Sequence, residues 1–145
     1  MQTILVPTDF SPHSEKALEL AEKLAKLMGA KIHLLHCYQI NVGGISPYGV
    51  TIPDEYNREI REAATEKVEE LERKVAAEGI EVEAHITPRY PSEAVTDLAK
   101  EIGADLIVMG TRGTTGLKHI FLGSVAERTL RIAPCPVLTV KESDA

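Results

Sequence analysis

Ala104-Asp105-Leu106-Ile107-Val108-Met109-Gly110-Thr111-Arg112-Gly113-Thr114-Thr115-Gly116, running on from Leu117 to Leu122 and closing in Gly123-Ser124, is the stretch on which the fold turns. Its first six residues form a nearly continuous apolar run of strand length, so a buried strand stops where the glycines begin. Ser124-Val125-Ala126-Glu127 follows, with Ser and Glu at the spacing of a reciprocal helix cap, and predicts a helix that has Ser124 as its N-cap. A glycine-bearing loop between a buried strand and a helix start gathers N–H groups at the positive end of a helix dipole. That setting suits a polyphosphate.

Upstream, Thr3-Ile4-Leu5-Val6 is a short apolar run closed by Pro7, as expected of a central strand covered on both faces. Ser11-Pro12 reads as an N-cap with proline at the first helical position. The helix then carries Ala17, Ala21, Leu24 and Met28 at helical spacing, with Leu20 and Leu27 widening the stripe, and Gly29 ends it. A second strand is expected over Ile32 to Tyr38, and a long mobile loop from Gln39 to Pro53, where three glycines break any period. A long helix follows from Asp54 to Glu78, burying Ile60, Ala64, Val68, Leu71 and Val75. Ile80 to Ile86 alternates strictly and so reads as an edge strand with one wet face. A third helix opens at Pro91-Ser92 and ends at Gly103, and a last strand spans Cys135 to Val140, where Pro136 again favours an edge.

Five strands alternating with four helices define an α/β chain with an open parallel sheet. Right-handed crossovers in strict sequential order would leave one face bare, so the order must reverse once. With strands 3 and 5 at the edges the order is 3-2-1-4-5, with helices on both faces; the order 2-1-3-4-5 would bury the alternating strand and fits less well. Ligands of such sheets bind outside the carboxyl ends of the strands at the reversal. There Pro7-Thr8-Asp9 faces the glycine loop.

The bulk numbers narrow the function. A chain of 145 residues, 43% hydrophobic and 26% charged, supports one domain, residues 1–145. A net charge of -6 disfavours a nucleic-acid partner, which is held mainly by basic stripes. No run approaches the roughly 20 apolar residues of a membrane span, and the first residues enter a strand pattern directly, so a cytoplasmic location is expected. Cys37 and Cys135 have neither metal-site nor disulfide spacing and read as buried free thiols. His13, His33, His36, His85 and His119 show no close pairing of the sort a metal site or catalytic dyad needs, and no catalytic or metal-ligating residue is assigned. His36 reads as a satisfied strand imidazole.

The loop is neither a Walker P-loop nor a first-strand dinucleotide fingerprint. Its Gly110-x2-Gly113-x9-Gly123-Ser124 spacing, taken with Pro7-Thr8-Asp9 and Ala133-Pro134-Cys135-Pro136-Val137, resembles the ATP-binding branch of the universal stress protein family, from Met1 to about Val140. The resemblance implies a Rossmann-like adenine-nucleotide-binding sheet, a homodimer, and a regulatory role in the stress response through an unidentified partner protein. It further implies that Asp9 lies by ribose and adenine, that the backbone of Cys37 contacts adenine, and that Gly110, Arg112, Gly113, Gly123, Ser124 and Val125 line ribose and phosphates. Pro7, Thr8 and Met109, at the ends of the same strands, complete the candidate set.

Bland alternatives stand beside these roles. Asp9 could merely cap the following helix, Ser124 could serve as both cap and phosphate ligand, and Arg112 and Lys118 could be solvated loop charges. Any Mg²⁺ would be held mainly by phosphates and water. No general base is legible beside the phosphate loop, so a slow ATPase or adenylyl-transfer enzyme on the same fold is the second reading. A receiver domain is disfavoured, since strand 3 ends Ile86-Thr87-Pro88 without an acceptor Asp. The apolar edge Val137 to Val140 is the expected homodimer seam.

Overall fold

The computed structural model describes residues 1–39, 54–112 and 122–141. The expected loop beyond Gln39, together with Gly113, Lys118 and His119, lies outside the described residues. The elements are β1 (Thr3–Pro7), α1 (Pro12–Met28), β2 (Lys31–Cys37), α2 (Asp54–Ala77), β3 (Val82–Thr87), α3 (Pro91–Ile102), β4 (Leu106–Gly110), α4 (Ser124–Ile132) and β5 (Val137–Val140).

All strand pairings are parallel and the order is β3-β2-β1-β4-β5, as the edge argument requires. β1 sits at the centre, with Ile4 opposite Ile32 on one side and Leu106 on the other. Strand alternation sends side chains into two separate cores. Ile4, Val6, Ile32, Leu34, Leu106 and Val108 pack with Ala17, Leu18 and Ala21 of α1 and Val68 and Val75 of α2. Leu5, Leu35, Ile107 and Met109 pack with Ala94, Val95 and Ala99 of α3 and Ala126 of α4. Two helices therefore cover each face.

Helix α1 starts as read. Ser11 is its N-cap, its hydroxyl accepts the Ser14 N–H, and Gly29 closes the helix with φ of +67°. The buried stripe differs from the expected one: Leu18 and Ala25 are buried, whereas Leu27 is 82% and Met28 48% exposed. Within the last turn Ala25 still faces the core, and the core continues through Ala30 beyond the helix, while Leu27 and Met28 stand outside it. In α2, Ala64, Val68 and Val75 are buried, while Ile60 and Leu71 are only partly so. Both cysteines are half-buried free thiols, not fully buried ones.

At β3 the alternation holds. Val82, Ala84 and Ile86 join the α1/α2 core, and Glu83 stands exposed on the other face. β5 begins later than read, at Val137, because Pro136 lacks an N–H and contributes only its carbonyl, which accepts from Ile107 N at 3.0 Å. At the amino ends of the strands, the Asp105 carboxylate accepts the N–H groups of Gln2 and Thr3 at 2.8 and 3.0 Å, and these bonds hold its pKa below the ordinary carboxylate value.

Gly110, the last residue of β4, is set by packing. A Cβ there would stand 2.8 Å from His13 Cβ and 2.9 Å from the His13 carbonyl carbon, so only glycine lets the first turn of α1 lie on the strand end. Gly110→Ala is therefore expected to cost about 1–3 kcal/mol, the usual range for overpacking, in denaturant unfolding. An unchanged midpoint would mean that the α1 start can shift freely.

Candidate functional site

The sequence-predicted residues that lie in the described part fall at the carboxyl ends of the strands and the start of α4. Pro7 ends β1 and Cys37 ends β2. Met109 and Gly110 end β4, and Gly123, Ser124 and Val125 open α4. Buried Thr8 and exposed Asp9 begin the β1–α1 connection, and half-buried Arg112 follows β4.

Direct contacts tie these ends together. Thr8 N–H donates to the Leu35 carbonyl at 2.8 Å, which extends the β1–β2 pairing one step beyond the strand. His36 Nδ1 lies 2.9 Å from the Thr8 carbonyl; a carbonyl can only accept, so Nδ1 carries the proton. On the other side Gly123 N–H donates to the Thr111 carbonyl at 2.6 Å, returning the chain to the end of β4.

The turn after β1 is held by its own side chains. Thr8 Oγ1 accepts the Phe10 N–H at 3.0 Å and Asp9 Oδ1 accepts the Ser11 N–H at 2.9 Å. Between them Phe10 takes φ of +64°, a strained setting for a bulky residue, and its ring lies 4.6 Å from that of His36 and 5.5 Å below Lys67 Nζ. Asp9 thus does shape the start of α1, the structural role set beside its ligand role. The strain at Phe10 was not read from the sequence, although Thr and Asp in this arrangement are residue types that make side-chain-to-backbone turns.

The start of α4 corrects the sequence reading. Its N-cap is Gly123, and among the described residues no side chain caps it. Ser124 is the first helical residue, which places Glu127 one position too late for a capping box; Glu127 instead pairs with Arg131 one turn on. The N–H groups of the first helical turn have no intrahelical acceptor by geometry, so this end is a standing donor cluster. Beside it, Thr111 Oγ1 is buried with no hydrogen-bond partner among the described residues. An anion at the mouth of β4 fits this chemistry.

Other expected roles are narrowed by packing. The side chains of Met109 and Val125 belong to the α3/α4 core, so only their backbones can serve a ligand. Burial, opposed by the weaker influence of Arg89, pushes the Cys37 thiol up to about 11, so it is a protonated group and not a nucleophile. The expectation that no histidines pair closely is overturned. His33 Nδ1 and His85 Nε2 are 2.9 Å apart, brought together by the β2–β3 register across 52 residues of sequence.

Architecture and site together define a doubly wound α/β protein with an uncapped helix end at its switch point. The chain belongs to the universal stress protein family, whose model matches residues 1–141. It is 36% identical to Universal stress protein MJ0531 of Methanocaldococcus jannaschii over 96% of this chain and 81% of that one. It is 35% identical to Universal stress protein YxiE of Bacillus subtilis, over 95% and 97%. Among solved structures, that of MJ0577 superposes with a TM-score of 0.86 at 31% identity, covering 99% of this chain and 98% of that one. A universal stress protein from Archaeoglobus fulgidus in complex with dAMP gives 0.68 at 27%, over 97% and 98%. Another family member, in complex with cAMP, gives 0.67 at 27%, over 98% of each chain.

The two serines make opposite predictions. Ser124→Ala is expected to leave stability within about 0.5 kcal/mol of wild type, since it caps nothing. Ser11→Ala is expected to cost about 1 kcal/mol. Urea unfolding of the two variants checks this, and an equal loss would restore Ser124 as a cap.

Proposed function

We propose that the chain binds ATP at the β1/β4 switch point and acts as a cytoplasmic regulator of the stress response. Nucleotide occupancy would alter the loop after β4, the dimer or a partner-protein surface. The observation that carries this reading is the N-terminus of α4, capped by no side chain among the described residues and joined to the end of β4 by the Gly123–Thr111 hydrogen bond. A triphosphate would lie against the backbone N–H groups of Ser124 and Val125, with Arg112 adding charge and Gly110, Gly113 and Gly123 as the further lining. Asp9 and the Cys37 backbone would take ribose and adenine. The dAMP and cAMP complexes of family members support adenine as the base. Mg²⁺ would travel on the phosphates, coordinated mostly by water.

Titration calorimetry against ATP, GTP and AMP tests the reading. ATP is expected to bind and GTP to bind more weakly. Asp9→Asn, which keeps an acceptor for the Ser11 N–H, is expected to weaken ATP binding without moving the thermal midpoint. Absence of binding by any of the three would remove the nucleotide reading, and equal affinity for ATP and GTP would remove the adenine assignment.

The homodimer belongs to the same proposal. β5 is a sheet edge, and Leu138 on it is 37% exposed although apolar, as suits pairing with a second copy about a twofold axis. Leu138→Lys is expected to yield a folded monomer in analytical ultracentrifugation. A wild-type monomer, or an undisturbed dimer in the variant, would place the assembly elsewhere.

A further inference from the structure

The opposite edge of the sheet carries a group of side chains that the nucleotide reading does not use. His33 on β2 pairs with Glu83 on β3 in the parallel register, and His85 lies two residues further along β3 on the same face. His33 is 7% exposed, His85 part-buried and Glu83 exposed, so the group runs from the protein interior to solvent. His33 Nδ1 is 2.9 Å from His85 Nε2 and 3.8 Å from Glu83 Oε2. One ligand atom from each of the three residues falls within 4.8 Å of the others.

Those separations have a chemical meaning. Two donors about 2.0 Å from one tetrahedral ion are roughly 3.3 Å apart, a distance that the imidazole–imidazole and imidazole–carboxylate spacings bracket. Two imidazole nitrogens and one carboxylate are a ligand set suited to zinc and its neighbours in the first transition row, with softer donors than calcium or magnesium prefers. We propose that His33 Nδ1, His85 Nε2 and Glu83 bind a zinc-class divalent ion at the β3 edge, with water completing the coordination.

The ion takes the place of the proton shared between the two rings. That proton moves to the far nitrogen of its own imidazole, leaving both facing lone pairs for the metal. Burial, ahead of the neighbouring His85 and Lys31, lowers the pKa of His33, so this ring is neutral at neutral pH. The competitor is Lys31, whose Nζ is 3.0 Å from Glu83 Oε2; it also lies 3.9 Å from Glu81 Oε1 and keeps that partner when the metal takes Glu83.

The test uses the tag-free chain without nucleotide, titrated with Zn²⁺ by calorimetry and with Co²⁺ by visible absorption. One Zn²⁺ per chain is expected, together with Co²⁺ bands of low coordination number. His85→Ala and Glu83→Gln should each weaken Zn²⁺ binding roughly tenfold or more, with the unfolding midpoint in chelator unchanged. Lys31→Met should tighten it. No Zn²⁺ binding across the micromolar range, or binding that survives His85→Ala, would overturn the site. Binding no tighter in Lys31→Met than in wild type would overturn the assignment of Glu83.

Discussion

The structure depends on the complete burial of one strand. Ile4, Leu5 and Val6 of β1 are each 0% exposed, which is possible only if both faces of the sheet are covered and both edges of the strand are paired. Covering both faces forces helices to opposite sides, and with crossovers of one hand this forces the strand order to reverse next to β1. The reversal parts the connections that leave β1 and β4, the place where sheets of this kind hold their ligands. Site and core are consequences of one constraint.

The switch point is furnished by opposing uses of helix termini. At α1 the Ser11 hydroxyl and the Asp9 carboxylate consume the local N–H groups, so that end is structurally satisfied. At α4 glycine occupies the cap position and no side chain of the described residues closes the end. The asymmetry gives one helix the task of fixing the strained β1 turn and leaves the other open to an anion. Gly110 serves the first task as well, since its missing Cβ is what lets His13 settle against β4.

The two edges of the sheet are chemically unlike. β5 offers an apolar segment after a proline, whereas β3 offers Glu83 and His85, with Glu81 just before it, beside Lys31 and His33 of β2. A charged edge resists strand addition and an apolar edge invites it. One sheet therefore has one apolar margin and one polar margin.

The sequence by itself determined the element order, the two edge strands and the location of the switch point, because these follow from short-range signals: apolar runs, strict alternation at Glu81 to His85, and the prolines and glycines that end elements. The family resemblance rested on the same kind of signal, a glycine spacing beside Pro7-Thr8-Asp9. Tertiary structure alone decided which residues of a periodic stripe were buried: in the last turn of α1, Ala25 is buried while Leu27 and Met28 are exposed. It also moved the α4 cap from Ser124 to Gly123, because the bond from Gly123 to Thr111 fixes where the helix begins. The pairing of His33 with His85 came from strand register. Register is a relation between distant segments, set by how whole strands pack, and no local spacing records it.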